Sequence, residues 1–367
     1  MMGSMKHLLI LPVLFFSMTC SNSSGFRPTC DTEGVGLKHV VKGTADTHGT
    51  EYHISISVDG TAMEAIADTG SSNLLVAHDA VTPTGPSLGS FSIAYGRGAA
   101  DLQTYQGTVD LNCGPGVKGY RYGYIQPGSS ETLTVMGLAY HSIEKFSGPN
   151  PPDHTFFEDL VLTQGISDEF SMQLCGMNNP NSKIYFGGVS SSIDSSQFQY
   201  VPVIEDKWYT IKASTIQTHD RKHSVPGTLG NVIVDSGTTL NLIPSAMLND
   251  LVTYLSTTYP GAADWATIQA NPGGVKVACP SAAQLASLPS IDIVLSDTVT
   301  LSIAPNTYFK STDNGCYFGF AQQTDQTIIL GQVTMENYYV HFDRKFISQG
   351  QIRGRIGFIP SAKRCNP

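Results

Sequence analysis

Two segments of the chain end an apolar run in an aspartate, then continue with a hydroxyl residue and a glycine. Ala65-Ile66-Ala67-Asp68-Thr69-Gly70-Ser71-Ser72-Asn73-Leu74 is echoed by Ile233-Val234-Asp235-Ser236-Gly237-Thr238-Thr239-Leu240-Asn241-Leu242. An apolar strand would deliver each carboxyl to the interior, where a carboxylate is costly unless it is hydrogen-bonded. Gly70 allows a tight turn that brings a backbone N–H near the carboxylate. Ser71 adds a hydroxyl donor, and Thr69 can reach across to an opposite loop. Ser236, Gly237 and Thr238 repeat the set. Brought together, the two carboxyls would share one water. Like charges at that range cannot both ionise easily, so one stays protonated while the other acts as base. The base takes a proton from water, the water attacks a carbonyl, and the acid protonates the carbonyl oxygen. This chemistry needs no metal or cofactor.

One Asp-Thr-Gly alone is an ordinary turn, so the weight lies in the repeat. Val135-Met136-Gly137 follows the first copy and Ile329-Leu330-Gly331 follows the second. Two halves with the same ordered parts imply two similar lobes, residues 51–195 and 196–367, joined after Phe186-Gly187-Gly188. The elements that would position the aspartates read as short strands. Tyr52 to Val58 alternates cleanly and turns at Asp59-Gly60. Further runs are Phe91 to Tyr95, Thr108 to Leu111, Lys183 to Phe186, Asp292 to Leu295 and Thr298 to Ile303. The best helical patterns are Thr155 to Thr163 and Pro244 to Leu255. In the latter, Met247, Leu248, Leu251, Val252 and Leu255 fall at helical spacing and read as core.

The bulk properties agree. With 367 residues, 41% hydrophobic and 14% charged, the chain suits two ordinary domains and excludes disorder. The low charged fraction and 36 glycines read as β-rich. A net charge of −9 argues against nucleic acid and anionic membrane as partners. Residues 1–20 have the layout of a secretory signal, with Lys6 ahead of the apolar run Leu8 to Phe16. Residues 21–50 read as a short, polar N-terminal or pro segment without periodicity. Of seven cysteines, six remain if Cys20 leaves with the signal, which suits three disulfides in an exported chain. A second reading of Cys20 is a lipid-anchor cysteine. No C-x-x-C spacing points to a metal site.

At these residues the chain resembles the pepsin family of aspartic proteases, from about Glu51 to Cys365. The shared features are Asp-Thr-Gly-Ser-Ser-Asn, Gly137-Leu138-Ala139-Tyr140, the Phe-Gly-Gly near the lobe join, Val201-Pro202-Val203 with Trp208, Tyr338 to Arg344, and Arg355-Ile356-Gly357-Phe358. Ile233 to Thr239, Gln173-Leu174-Cys175-Gly176 and Met335-Glu336 look most like the β-secretase branch. The resemblance implies an all-β, bilobal fold: two pseudo-symmetric, six-stranded, β-barrel-like lobes around a central cleft. It implies a secreted endopeptidase with Asp68 and Asp235 as the catalytic pair. Thr69, Gly70, Ser71, Ser236, Gly237 and Thr238 would support them. Tyr95, Gly96 and Arg97 would form a flap over substrate, with Thr239 also on the substrate side. The partners implied are an extended peptide or protein substrate and pepstatin-type inhibitors, with the chain a monomer. The resemblance also suggests Cys175–Cys365 and Cys279–Cys316 bridges, leaving Cys30–Cys113 by elimination.

This sequence departs from the family at telling places. Leu75 stands where the family usually has a Trp that hydrogen-bonds the flap tyrosine. Gln332 stands where many acid-active members carry an Asp, so a mildly acidic optimum is expected. The segment before the first strand is short, which points to weak zymogen control, and no anchor follows Cys365. A rival from another class is a silent relative that keeps the cleft as a binding or inhibitor protein. Such relatives usually lose an aspartate or the flap tyrosine, and Asp68, Asp235 and Tyr95 are all present here.

Overall fold

A computed structural model of the chain describes residues 34–41, 49–95, 98–111, 116–130, 132–145, 154–177, 179–296, 298–312, 315–323, 327–345, 347–348, 351–352, 354–361 and 365. The signal reading of residues 1–20, Cys20, Gly96, Arg97 and the Cys30–Cys113 bridge all lie outside the described residues.

The chain is mostly β and bilobal. The run beginning at Tyr52 becomes the strand Thr50–Val58, with Tyr52, Ile54, Ile56 and Val58 turned fully into the core. It pairs antiparallel with Thr61–Asp68, the strand that ends on the first aspartate, so its alternation sets the register of that aspartate. In the second half, Tyr209–Ala213 pairs antiparallel with Gly230–Val234 and performs the same service for Asp235.

The repeat seen in sequence is a repeat of topology. Thr61–Asp68 runs parallel to Val135–Gly137, which runs antiparallel to Leu74–Val76, which runs parallel to Gly116–Ile125. In the second half Gly230–Val234 runs parallel to Ile328–Leu330, which meets Asn241–Pro244 antiparallel, which runs parallel to Phe320–Gln323. The glycine that closes each apolar-apolar-Gly run is now explained. A Cβ on Gly137 would sit 2.5 Å from the Ser72 backbone, and one on Gly331 would strike the Thr238 and Leu240 carbonyls. Only glycine lets each strand run beneath its aspartate loop.

The strand count differs from two separate six-stranded lobes. One thirteen-stranded sheet runs through both halves, and a six-stranded sheet belongs to the second half. The joint lies where Tyr338–Asp343 pairs with Glu169–Gln173, so the lobes share a ladder. Val35–Val41 is also a strand of this sheet, within the stretch read as a short polar N-terminal or pro segment. It pairs with Thr50–Val58 on one side and Lys183–Phe186 on the other. Among its described side chains Leu37 is the one well buried, so no amphipathic pattern marks it.

Both expected helices form. Phe156–Gln164 starts with a capping box between Thr155 and Glu158 and ends at Gly165 in the left-handed conformation. Ser245–Thr258 buries Leu248, Leu251, Val252 and Leu255. Cys175–Cys365 and Cys279–Cys316 are bonded, with Cα separations of 5.2 and 4.8 Å. No helix among the described residues is long and apolar enough to cross a membrane.

Candidate active site

Asp68 ends its strand and Asp235 follows Val234 directly, so both aspartates leave parallel-paired strands at the same point of the repeat. Each carboxylate is held by its own loop in the same way. The Gly70 N–H donates to Asp68 Oδ1 at 2.8 Å and the Ser71 hydroxyl donates to Oδ2 at 2.5 Å. The Gly237 N–H donates to Asp235 Oδ1 at 2.8 Å and the Thr238 hydroxyl donates to Oδ2 at 2.6 Å. A Cβ on Gly70 would lie 2.6 Å from the Asp235 carboxyl, and one on Gly237 would strike Asp68. Each glycine thus makes room for the opposite aspartate.

Four hydrogen bonds cross between the loops. The Thr69 N–H donates to Ser236 Oγ at 3.0 Å, and the Ser236 N–H donates to Thr69 Oγ1 at 2.9 Å. The Thr69 hydroxyl donates to the Val234 carbonyl at 3.0 Å, and the Ser236 hydroxyl donates to the Ala67 carbonyl at 2.6 Å. Thr69 and Ser236 are fully buried, so these bonds are shielded from water and fix the spacing of the carboxyls.

Asp68 is partly buried and Asp235 is 8% exposed. Burial and the neighbouring Asp235 push the Asp68 pKa well above the usual carboxylate range, against the opposing hydrogen bonds from Ser71 and Gly70. The arrangement therefore favours one proton on the pair over the range in which an isolated carboxyl would have lost it.

The flap reading falls partly within the described residues. Ser90–Tyr95 and Gly98–Leu111 form a hairpin in which Tyr95 pairs with Gly98, so Tyr95 is the last strand residue before the tip. The base of this hairpin packs on Leu75. That side chain is fully buried among Ile66, Ile93, Leu102, Ile125 and Val135. Apolar packing thus occupies the place where the family's Trp would stand.

Thr239, expected on the substrate side, is largely buried, its hydroxyl donating to the Thr50 carbonyl at 3.0 Å and accepting from the Thr50 N–H at 2.9 Å. It ties the second loop to the start of strand Thr50–Val58. Gln332 joins the same knot. Its Nε2 donates to the carbonyls of Thr50 and Ser236, each at 2.9 Å, and its Oε1 accepts from the Thr50 hydroxyl at 2.7 Å. Thr50 carried no signal in the sequence, because its partners lie 189 and 282 residues away.

A cavity of about 230 Å³ opens beside Gly70 and Ser71. Its walls come from the flap strand, which the sequence placed over substrate, and from the turn after Tyr140, which it did not. The loop holding Asp68 is bound to that turn: the Ser72 hydroxyl donates to the Tyr140 carbonyl at 2.7 Å, and the Lys145 N–H donates to Asn73 Oδ1 at 3.2 Å.

Comparison with known proteins agrees with this geometry. The model of the eukaryotic aspartyl protease family matches residues 82–350, a span that takes in Asp235 and begins after Asp68. The chain is 28% identical to Pepsin-3 of Oryctolagus cuniculus over 323 residues, covering 80% of this chain and 79% of that one. It is 28% identical to Pepsin A of Callithrix jacchus over 346 residues, covering 85% and 81%. It is 25% identical to Pepsin-2B of Gadus morhua over 350 residues, covering 88% and 98%. The chain belongs to the eukaryotic aspartyl protease family and is an aspartic endopeptidase.

Proposed function

We propose that this is a secreted, monomeric endopeptidase in which Asp68 and Asp235 share one proton and activate a water against a peptide bond. The observation that carries this reading is the mirrored pair of carboxylate loops, locked together by Thr69 and Ser236. The unprotonated carboxyl removes a proton from water as its oxygen bonds to the peptide carbon. The protonated carboxyl donates to the carbonyl oxygen, giving a tetrahedral diol. Return of a proton to the nitrogen breaks the C–N bond. Gly70, Ser71, Gly237 and Thr238 hold the carboxyls in place, and Tyr95 closes over an extended substrate together with Gly96 and Arg97.

The reading includes a mildly acidic optimum. An acid at position 332 could donate to the Thr50 and Ser236 carbonyls only while protonated, whereas the Gln332 amide donates at any pH. Kinship to the β-secretase branch is part of the same reading and rests on the motifs around Asp235, Cys175 and Glu336; the relatives named above are pepsins. The lobes divide near residues 195–196 and pepstatin-type inhibitors bind the cleft. The test is cleavage of a mixed peptide library from pH 3 to 7, with and without a pepstatin-type inhibitor. Inhibitor-sensitive cleavage supports the reading. A folded protein that binds peptides and cleaves none would be a silent relative.

A further inference from the structure

We infer that Lys145 is a specificity-determining residue that selects an acidic side chain on the substrate, next to the scissile bond. This inference rests on the peptidase reading above and names part of its substrate class.

The pocket beside Gly70 and Ser71 has walls of two kinds. Ile93, Ala94, Ile143 and Trp208 supply an apolar sleeve. Lys145 and Asn73 join Ser71 and Ser72 as the polar lining. Asn73 is 2% exposed and its Oδ1 is occupied by the Lys145 N–H, which fixes the amide so that Nδ2 is the donor. That Nδ2 is buried and has no hydrogen-bond partner among the described residues. That amide lies sealed beneath the pocket surface, so the group that meets a ligand there is the Lys145 ammonium. The Lys145 side chain is exposed at the same pocket. An exposed cation beside apolar walls suits a carboxylate on a short aliphatic stem, which is a glutamate side chain.

The charges around the pocket leave Lys145 uncompensated. Glu144 turns its carboxyl to His141 Nδ1 at 2.8 Å and to the Tyr120 hydroxyl at 3.5 Å. Burial and the nearby Glu158 raise its pKa to about 9, so it carries no charge at acidic pH. From the facing segment, the Lys207 carbonyl accepts from the Tyr140 N–H and the Asp206 carbonyl accepts from the Ser142 hydroxyl; this segment carries two acidic side chains and one basic one, and Glu205 accepts from Asn231 Nδ2 at 3.1 Å. Among the described residues no carboxylate forms an ion pair with Lys145. The bond from its N–H to Asn73 ties its position to the loop that holds Asp68.

The test compares matched peptides that differ only in Glu, Gln or Lys at each position around the cleaved bond. The wild-type protein is expected to prefer Glu over Gln at one position by about five-fold in kcat/KM at pH 5.5. The preference is expected to vanish below about pH 4, where the substrate carboxyl is protonated. Lys145→Glu is expected to reverse it in favour of Lys peptides, a gained activity that also shows the variant is folded. Asn73→Asp keeps the acceptor for the Lys145 N–H, removes the donor and adds a charge, and is expected to weaken the Glu preference. A wild-type protein that cleaves the set, with a Glu/Gln ratio unchanged by Lys145→Glu at every position, would overturn the inference while leaving the peptidase reading intact. A wild-type protein that cleaves none of the set would overturn both.

Discussion

The side-chain amide of Gln332 donates to the carbonyl of Ser236 at 2.9 Å, which joins a residue of the second half's buried turn to the loop that carries Asp235. Its two hydrogen bonds with Thr50 reach the start of strand Thr50–Val58 in the first half, so one amide links the two halves.

Gln332→Glu is expected to make this brace depend on pH. A protonated Glu can donate to one carbonyl, whereas a carboxylate would face two carbonyl oxygens in a buried site. The variant should keep activity near pH 4 and lose it as the pH rises toward 7, moving the alkaline limb of the kcat profile down by about one unit. It should also lose about 1–3 kcal/mol of stability at pH 7 relative to pH 4. A pH–rate profile and chemical denaturation at both pH values check this.

Asp68→Asn is expected to stabilise the fold at neutral pH while destroying activity. Burial and the neighbouring Asp235 raise the pKa of Asp68 in the folded protein well above its value in the unfolded chain. Between those values the folded protein holds a proton that the unfolded chain has released, so stability falls as the pH rises across this window. Asparagine removes that slope. The gain at pH 7 should be on the order of 1–3 kcal/mol, read from urea unfolding of both proteins at pH 4 and pH 7.

Ser236→Ala removes the acceptor of the Thr69 N–H and the donor to the Ala67 carbonyl, both buried. The expected cost is about 1–3 kcal/mol of stability. Because the bonds set the spacing of the carboxyls, kcat should fall by about ten-fold or more, with a smaller change in KM. Steady-state kinetics on one cleaved peptide separate the two parameters.

Leu75→Ala leaves a hole between the strand that delivers Asp68 and the base of the flap hairpin. A loss of about 3 kcal/mol is expected from the deleted contacts and the cavity. Looser support for the hairpin should raise KM more than it lowers kcat. Thermal unfolding with kinetics at 25 °C reads both effects.

Much of the site could be read from residues, because the chemistry repeats locally. Each aspartate sits at the end of an apolar strand, and each brings its own glycine N–H and hydroxyl donor within three positions. The cross-bonds of Thr69 and Ser236 follow from facing two copies of one loop. Thr50, Thr239 and Lys145 were not legible as they stand, since their roles depend on which distant segment they meet. Thr239 looks like a substrate-side hydroxyl in one dimension and becomes a tie to Thr50 in three. The strand Val35–Val41 escaped for another reason. It forms by ladder pairing between two neighbours and buries little of its own side-chain surface, so it has no period to detect. The strands were read as short runs, although Thr108 to Leu111 is only the end of the fourteen-residue strand Gly98–Leu111, and the sheet that joins the halves arises from Tyr338–Asp343 meeting Glu169–Gln173.

The most direct measurement is the rate of peptide cleavage by Asp235→Asn, at the wild-type optimum and with folding checked by thermal unfolding. The carboxyl pair acts as a unit, so the account expects kcat to fall by at least about a thousand-fold with the fold intact. A folded Asp235→Asn protein that keeps a tenth or more of the wild-type rate would contradict it.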